Sequence, residues 1–584
     1  METLYAQLQR VFNQAFQTLY PDLSVQTALS QASAPQFGHY QCNNAMRLAK
    51  PLKLPPQQIA QQVCAAVNAQ LNFEQPNLIQ KMEVAGPGFI NIWLSPLLIG
   101  QQLDELFSTA SLGIAPVRPR QKIVIDFSSP NTAKEMHVGH LRSTIIGDCL
   151  ARIFELLDYE VLRLNHIGDW GTAFGMLIAY LKQYVKPAVA DFEQIQLADL
   201  VMWYKAAKHR FDCDATFKKQ AQLEVVALQG GDPLALQYWQ LICKISARAY
   251  QQIYTTLDIK ITNRGESFYQ PMLAELVADL QQQGLIELSD GAKCLYLKGF
   301  NNREGAPLPF MVQKSDGGYN YATTDLAALR HRIDVEHASR LIYVTDAGQT
   351  THFQMLFAAA EQAGYLDRRQ VRCDHVAFGL VLRPDGKKFK TRSGDTERLS
   401  DLLTQAITQA EKILETRASP ALSGPDKAKI AQALGLGAVK YADLSCHRVN
   451  DYVFSYERML KFEGNTAAFL MYAYVRICSI KRKINHKPDD LSVVPLVLTH
   501  PGEIELAIQL RQFPEVLYAI TEDLNPHRLC DYLYQLAEKF NAFFRDCRVA
   551  GVPEQNPRLK LCELTAQVLK TGFSTLGIPV IEHM

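Results

Sequence analysis

The sequence predicts an α/β protein whose centre is a Rossmann-like, doubly wound parallel sheet. Residues 122–127 form a nearly continuous apolar run, which is typical of a strand buried on both faces. A helix pattern follows, with apolar residues at every fourth position: Leu141, Ile145, Cys149, Ile153 and Leu157. A second apolar run at 161–164 completes a βαβ unit. Ligands of such sheets bind at the carboxyl edge, where the first loop lies.

The 584-residue chain is too long for one core, and three domains are predicted in chain order. Residues 1–117 combine a helical pattern with a strand-like run at 89–94, which predicts an N-terminal α+β domain. The apolar face of the first predicted helix comprises Leu4, Leu8, Val11, Phe12, Ala15 and Phe16. Residues 118–399 are predicted to contain the parallel sheet, with a helical insertion at about 182–258 and another buried strand at 341–346. Residues 400–584 are helical throughout, which predicts an all-α C-terminal domain.

The composition is that of an ordinary globular protein, with 48% hydrophobic and 20% charged residues and a formal net charge of +1. The 12 cysteines include no C-x-x-C pair, so we expect no zinc site, no disulfide framework and a reducing cytoplasmic location. No apolar stretch is long enough to span a bilayer, so we expect a soluble protein without a membrane partner. The near-zero net charge does not exclude nucleic acid, because positive charge can be clustered.

The loop after the first strand carries the chemistry, and its residues 128–140 read SSPNTAKEMHVGH. His137 and His140 stand three apart at a helix start, so both face the same side. A helix N-terminus attracts phosphate, and Gly139 leaves room for a flat ring against the backbone. No Walker-type glycine-rich loop occurs in the sequence. We therefore expect ATP to bind over His137, Gly139 and His140.

Residues 131–147, with 164–172 close behind, resemble the class I aminoacyl-tRNA synthetases and their HIGH signature. The longer string SPN-x-AK-x-x-H-x-GHLRST is similar to the arginyl enzymes in particular, and the resemblance covers essentially the whole chain. It implies activation of L-arginine by ATP with Mg²⁺ to give arginyl-adenylate and pyrophosphate. The arginyl group is then transferred to the 3′-terminal adenosine of tRNA-Arg, which releases AMP. The resemblance also implies a monomer, a need for bound tRNA in the first step, an N-terminal domain that contacts the tRNA elbow and a C-terminal anticodon-binding domain.

A guanidinium group is planar and always charged, and its complement is a pair of carboxylates beside an aromatic wall. The resemblance implies that Glu266 and Asp325 clamp this group, with Tyr321 on the same helical face as Asp325. It further implies that the α-amino end of arginine is held by Gln349, Asn131 and Asp126. Each of these residues alone would equally suit a helix cap or a surface charge.

A second phosphate-binding loop is expected at residues 383–395, which are basic and contain glycine. It lies where the resemblance places the KMSKS motif, but Arg392 replaces the second lysine. The resemblance implies that Lys134, just before the HIGH motif, compensates for this change. We assign Lys134, Lys390 and Arg392 to the phosphates, where positive charge stabilises the leaving pyrophosphate. In isolation the segment would suit a solvated basic hairpin.

Two pairs of residues are candidates for tRNA contact. The stretch 85–91 resembles the loop of the N-terminal domain that reads a D-loop base, so Phe89 would stack on the base and Asn91 would bond its edge. Tyr474 and Arg476 precede a basic cluster in the C-terminal domain and would contact the anticodon loop. The alternatives are a plain turn with a core Phe for the first pair, and a core Tyr with a surface Arg for the second.

Three other functions are compatible with parts of the sequence. A class I synthetase for another amino acid would share the HVGH motif but lack the paired acids. A nucleotidylyltransferase would not need the C-terminal helical third. A non-catalytic tRNA-binding paralogue would keep the outer domains and lose His137, His140 or the basic loop, all of which are present.

Overall fold

The structure, a computed structural model, describes residues 2–71, 77–109, 111–185, 193–389, 398–417, 423–484 and 491–584. The first domain packs helices against a four-stranded antiparallel sheet of order β1-β2-β4-β3. Its elements are α1 (Leu4–Leu19), β1 (Leu29–Gln31), β2 (Tyr40–Cys42), α2 (Asn44–Leu52), α3 (Pro56–Leu71), β3 (Ile79–Ala85), β4 (Phe89–Leu94) and α4 (Pro96–Thr109). The predicted apolar face of α1 is its buried face.

The catalytic sheet has five parallel strands in the order β12-β11-β5-β6-β7. The strands are β5 (Lys122–Asp126), β6 (Glu160–Asn165), β7 (Thr262–Asn263), β11 (Arg340–Asp346) and β12 (Arg372–Phe378). The helix α5 (Val138–Leu156) follows β5, and α6 (Thr172–Tyr180) follows β6. The chain runs outwards from β5 through β6 to β7 and returns to β11 on the other side. The direction therefore reverses between β5 and β11, and a doubly wound sheet binds its ligand at this point. The predicted fold class is confirmed.

Two units are inserted between the strands of this sheet. Three helices precede β7, namely α7 (Leu197–Cys213), α8 (Ala215–Gln229) and α9 (Pro233–Thr256). Between β7 and β11 lie α10 (Glu266–Gln282), α11 (Tyr321–Asp334) and the antiparallel strands β8 (Glu287–Ser289), β9 (Ala292–Asn301) and β10 (Pro307–Gln313). The helix α12 (Thr350–Gln362) follows β11. The sequence analysis did not predict the sheet of β8, β9 and β10.

After β12 the described residues are helical apart from β13 and β14, a short parallel pair of strands separated by two helices. These elements are β13 (Val381–Leu382), α13 (Leu399–Arg417), α14 (Gly424–Leu444), β14 (Tyr452–Val453), α15 (Tyr456–Met459), α16 (Ala467–Ile484), α17 (Pro501–Arg511), α18 (Phe513–Asp523), α19 (His527–Asp546) and α20 (Gln555–Thr575). Within the described ranges, none of the helices combines the length and apolarity needed to cross a bilayer.

The N-terminal domain docks on the C-terminal helices. The Tyr40 hydroxyl lies 3.0 Å from a carboxylate oxygen of Glu515 on α18, and the other oxygen accepts the Tyr5 backbone N–H at 2.8 Å. Burial raises the pKa of Glu515. The ion pair of Lys560 on α20 with Asp104 on α4, at 2.6 Å, adds a second contact. The first domain is therefore fixed relative to the helical domain.

Candidate active site

His137 and His140 close the start of α5 by capping each other's backbone. The Nδ1 atom of His137, the N-cap residue, accepts the N–H of Gly139 at 3.1 Å, and the Nδ1 atom of His140 accepts the N–H of His137 at 3.1 Å. A backbone N–H only donates, so each Nδ1 is unprotonated and each neutral ring carries its proton on Nε2. A side chain on Gly139 would overlap the His137 ring, which explains the glycine.

Both imidazoles are neutral at physiological pH. Burial, followed by the charges of His137 and Lys134, lowers the pKa of His140 to about 3. Burial and the charge of Lys134 lower the pKa of His137 as well. The two rings lie 4.1 Å apart between centroids. The site therefore offers two adjacent N–H donors with a lysine nearby, and this arrangement suits an anion that gains charge during a reaction.

The predicted second phosphate loop is only partly described. Lys390 and Arg392 lie outside the described residues. The chain resumes at Arg398, which forms an antiparallel bridge with His137 and an ion pair with Glu135 at 3.6 Å. The backbone N–H of Leu399 donates to the Met136 carbonyl at 3.0 Å. The end of this segment is thus joined to the start of the HIGH motif.

The Asp325 carboxylate lies between two histidines, and we call this region, with Glu266 and Tyr321, the acidic pocket. Asp325, in the first turns of α11, places one oxygen 2.7 Å from Nε2 of His352 on α12. Its other oxygen lies 3.6 Å from Nε2 of His166, which directly follows β6. Tyr321 packs edge-on against His352 with centroids 5.0 Å apart, so Tyr321 and Asp325 share a helical face as predicted. Tyr321 remains 64% exposed and forms the outer wall.

Glu266 is the second acid of this pocket. It opens α10, and its backbone N–H donates to the Ile167 carbonyl at 3.0 Å. Burial, together with the negative charges of Asp325 and Asp169, raises the pKa of Glu266 to about 8. Asp169 itself accepts the backbone N–H and the hydroxyl of Ser267 at 2.8 and 2.7 Å. The predicted pair of acids therefore lies in one electrostatic environment, and that environment favours a bound cation.

Asp126 ends β5 and is already paired. One of its oxygens lies 2.7 Å from Nη2 of the buried Arg332, and the other accepts the Ser129 hydroxyl at 3.0 Å. The Arg332 guanidinium also lies over the Tyr343 ring, 5.2 Å from its centroid. The sequence analysis expected Asp126 to contact an amine, and it did not foresee that Arg332 balances the charge of Asp126.

Asn131 and Gln349 lie exposed at the mouth of the site. Asn131 forms a parallel bridge with Gly168, where a side chain would overlap the Asn131 amide. Gln349 follows β11 and its Nε2 donates to Asp346 at 3.4 Å. Both residues come from the loops that follow β5 and β11, so the reversal of the sheet brings them to the same edge.

The N-terminal candidates for tRNA contact differ in exposure. Phe89 is half-buried at the start of β4. Asn91 is 3% exposed, and its amide oxygen accepts the Gln41 side chain at 2.7 Å. The expected contact of Asn91 with a base edge is not supported, because its side chain faces inwards on a strand with neighbours on both sides.

The C-terminal candidates separate in the same way. Tyr474 is 5% exposed and packs edge-on against Phe573, so it is a core residue. Arg476 lies over the rings of Tyr472 and Phe544, 4.8 and 5.3 Å from their centroids. These two rings are 45% and 39% exposed, respectively. The exposed aromatic surface beside Arg476 is therefore formed by Tyr472 and Phe544, and Tyr474 does not contribute to it.

Sequence reasoning missed His166 and His352 beside Asp325, and Arg332 beside Asp126. His166 lies in the family-like string 164–172 and His352 lies three residues after Gln349, so each stood beside a recognised motif. Arg332 lies seven residues after Asp325, two turns along the same helix, and that spacing was a signal for a shared face.

Comparison with known proteins matches three families along the chain. Residues 6–94 match the arginyl tRNA synthetase N terminal domain, residues 102–456 the class I (R) tRNA synthetase catalytic domain, and residues 470–584 the DALR anticodon binding domain. The arginine–tRNA ligases of Protochlamydia amoebophila and Synechocystis sp. are 56% and 50% identical, and each comparison covers 100% of both chains.

The solved arginyl-tRNA synthetase of Plasmodium falciparum matches with a TM-score of 0.86 and 32% identity over 100% of both chains. The matches and the geometry of the site point the same way. Neutral imidazoles cap the helix of a class I HIGH motif, and the acids Glu266 and Asp325 lie in one electrostatic environment. The chain therefore belongs to the arginyl-tRNA synthetase family of the class I tRNA synthetases.

Proposed function

We propose that this chain is an arginine–tRNA ligase that activates L-arginine with ATP and charges tRNA-Arg. The main support for the proposal is that two donor groups and two acidic groups lie at the same edge of the sheet. Two Nε2–H donors start α5, and the coupled acids Glu266 and Asp325 lie at the starts of α10 and α11. The first pair suits the phosphates of ATP and the second suits a guanidinium.

In the first step the arginine carboxylate attacks the α-phosphorus of ATP in line, and pyrophosphate leaves. The nucleophile and the leaving group both belong to substrates, so the enzyme acts by placing them and by stabilising charge. We assign the Nε2–H groups of His137 and His140 to the phosphate oxygens that gain charge. Lys134, Lys390 and Arg392 would neutralise the departing pyrophosphate. Gly139 leaves the backbone at the helix start open to the nucleotide.

We assign recognition of the amino acid to the acidic pocket. Glu266 and Asp325 would share the guanidinium, and Tyr321 would cover it. His352 orients the Asp325 carboxylate through its Nε2 atom at 2.7 Å, and the His166 ring nitrogen lies 3.6 Å from the other oxygen. Asn131, Gln349 and Asp126 would hold the α-amino end. Since Arg332 neutralises Asp126, Asp126 would contribute to this end mainly through its free lone pairs.

In the second step the 3′-terminal adenosine hydroxyl of tRNA-Arg attacks the arginyl carbonyl, and AMP leaves. We assign residues 1–117 to contact with the tRNA elbow, residues 118–399 to catalysis and residues 400–584 to recognition of the anticodon. On the outer domains, Phe89 and the cluster of Arg476 with Tyr472 and Phe544 are the proposed contacts, because their side chains reach the surface.

We propose that the enzyme works in the cytoplasm as a monomer and uses Mg²⁺ bound to ATP. All 12 cysteines lie in the described ranges as free thiols, which suits a reducing compartment. The monomer is what the family resemblance implies. The described residues contain no cluster of three or more His, Cys, Asp or Glu that could hold a metal, so Mg²⁺ is assigned to the ATP phosphates alone.

Charging of total tRNA with each radiolabelled amino acid in turn, with ATP and Mg²⁺, tests the proposal. Label transferred from arginine alone is the expected result. Transfer of a different amino acid would keep the ATP chemistry but contradict the assignment of the acidic pocket. A folded protein that transfers no label would be a non-catalytic relative.

A further inference from the structure

The loop that leads to the HIGH motif is held in an unfavourable backbone conformation. Ser128, Ser129 and Ala133 have φ angles of 70°, 46° and 60°, in the left-handed region that favours glycine. A non-glycine residue in such a conformation costs on the order of 1–3 kcal/mol and persists only where its surroundings enforce it. The loop therefore needs external contacts to keep its shape.

Much of this external support comes from one face of α9, the last helix before β7. Ser246, Tyr250 and Tyr254 are spaced by four residues, so they lie one above the other. All three are buried, with 1% exposure each. This face points at the loop, although α9 belongs to the predicted insertion, for which the sequence showed no chemistry.

Each of the three side chains bonds a different part of the loop. The Ser246 hydroxyl accepts the Ala133 N–H at 3.1 Å, and the Tyr254 hydroxyl lies 2.8 Å from that of Ser128. The Tyr250 hydroxyl lies 2.7 Å from the Asn131 carbonyl and 2.8 Å from the Lys134 carbonyl. Its single hydrogen is shared between these two acceptors, which lie on either side of a left-handed residue.

The loop and α9 are not packed solidly against each other. A cavity of about 660 Å³ lies beside them, and Thr132, Ser246 and Tyr250 line it together with Trp170 and Trp239. Without its hydrogen bonds the loop has space into which it can move. The hydrogen bonds from α9 therefore contribute to holding residues 128–134 in place.

We propose that Tyr250, with Ser246 and Tyr254, positions the ATP-binding loop, and that this is the role of α9 in the activation reaction. None of the three contacts ATP; each acts through the backbone that leads into His137. The inference rests on the proposed function, because it assigns the positioning to arginine activation. Loss of the Tyr250 hydroxyl would release two loop carbonyls and allow His137 and His140 to move from the phosphates.

Tyr250→Phe tests this, with Tyr238→Phe as the matched control. Tyr238 lies on the same helix, and the described residues give its hydroxyl no hydrogen-bond partner. Arginine-dependent ATP–pyrophosphate exchange is measured for both variants with tRNA present. We expect Tyr250→Phe to lower kcat about 10-fold, the effect of losing one hydrogen bond. The KM for arginine should change less than twofold, and Tyr238→Phe should match the wild type.

Hydrogen exchange of the free enzyme gives a second readout that needs no activity. We expect the amides of residues 128–134 to exchange faster in Tyr250→Phe and in Ser246→Ala, while those of Tyr238→Phe stay protected as in the wild type. Wild-type exchange in this loop together with wild-type kcat in both variants would overturn the proposal. A wild-type enzyme without pyrophosphate exchange, but with faster loop exchange in the variants, would contradict the proposed function and leave the positioning of the loop by α9 intact.

Discussion

The Nη2 atom of Arg332 lies 2.7 Å from the Oδ2 atom of Asp126, and both side chains are buried. Arg332 reaches this position from the helix that carries Asp325, two turns earlier on the same face. One helix therefore supplies both the carboxylate of the acidic pocket and the guanidinium that pairs with Asp126 at the end of the neighbouring strand. The pair fixes α11 against the end of β5, at the point where the sheet reverses direction.

Removal of one partner of a buried ion pair should be costly. Arg332→Met leaves Asp126 charged and unpaired, and we expect a loss of about 3–5 kcal/mol in unfolding free energy. Urea unfolding monitored by circular dichroism measures it. Arg330→Met is the control, because Arg330 is more exposed and lies 3.5–4.0 Å from its acidic neighbours. We expect this variant to lose less than about 1 kcal/mol in unfolding free energy. Equal losses would show that the Asp126 pair adds no special stability.

Glu266→Gln should weaken arginine binding without harming ATP. The substitution keeps the shape and removes one charge, and a charge-assisted hydrogen bond is worth about 1.5–3 kcal/mol. The KM for arginine should therefore rise about 10- to 100-fold, while the KM for ATP stays within twofold. Glu275→Gln on the same helix is the control, since the Glu275 side chain is 80% exposed. Unchanged arginine kinetics would remove Glu266 from the pocket.

The raised pKa of Glu266 makes arginine binding pH-dependent. With a pKa of about 8, Glu266 is mostly protonated at pH 7 in the empty site and must lose its proton to pair with a guanidinium. The Kd for arginine should therefore fall as pH rises from 6.5 to 8 and then level off. Calorimetry at pH 7 in buffers of different ionisation enthalpy should show release of close to one proton. Glu266→Gln should abolish the release, and a release that persists would place it on another group.

His140→Ala should lower kcat by about 100-fold, the usual effect of losing a donor to developing charge. The KM for arginine should change little, because the residues proposed to hold the guanidinium, Glu266 and Asp325, lie on other helices. Steady-state exchange assays give both parameters. The neutral imidazole also predicts that ionisation of His140 does not affect the wild-type rate between pH 6 and 8, because the pKa of His140 is lowered to about 3. His209→Ala, at an exposed site on α7, serves as the control.

The sequence was sufficient where local pattern and burial agree. The four-residue spacing of Leu4, Leu8 and Phe12 predicted the buried face of α1, and the apolar run at 122–127 predicted β5. The sequence did not predict contacts between segments that lie far apart along the chain. Tyr250 meets Asn131 across 119 positions, and no local pattern reports such a contact. Asn91 is likewise buried against Gln41 of the neighbouring strand β2, and its polarity alone did not indicate this contact.

Tyr472 and Tyr474 provide the sharpest test of the tRNA surface, because they lie two residues apart on α16 and therefore on opposite sides of it. Tyr472 is exposed and stacks with Arg476, whereas Tyr474 is buried. Tyr472→Ala should raise the KM for tRNA-Arg about 5- to 100-fold, the range for loss of one base–aromatic stack, with the melting temperature nearly unchanged.

Tyr474→Ala should have the reverse signature, a lower melting temperature with a KM for tRNA-Arg close to wild type in the folded fraction. Removal of a large core side chain costs about 3–5 kcal/mol and leaves the surface in place. Aminoacylation assays and thermal melts of both variants separate the two effects. If Tyr474→Ala alone raised the KM for tRNA, the contact would lie on the opposite side of α16, and the assignment of Tyr472 and Phe544 to the anticodon surface would be wrong.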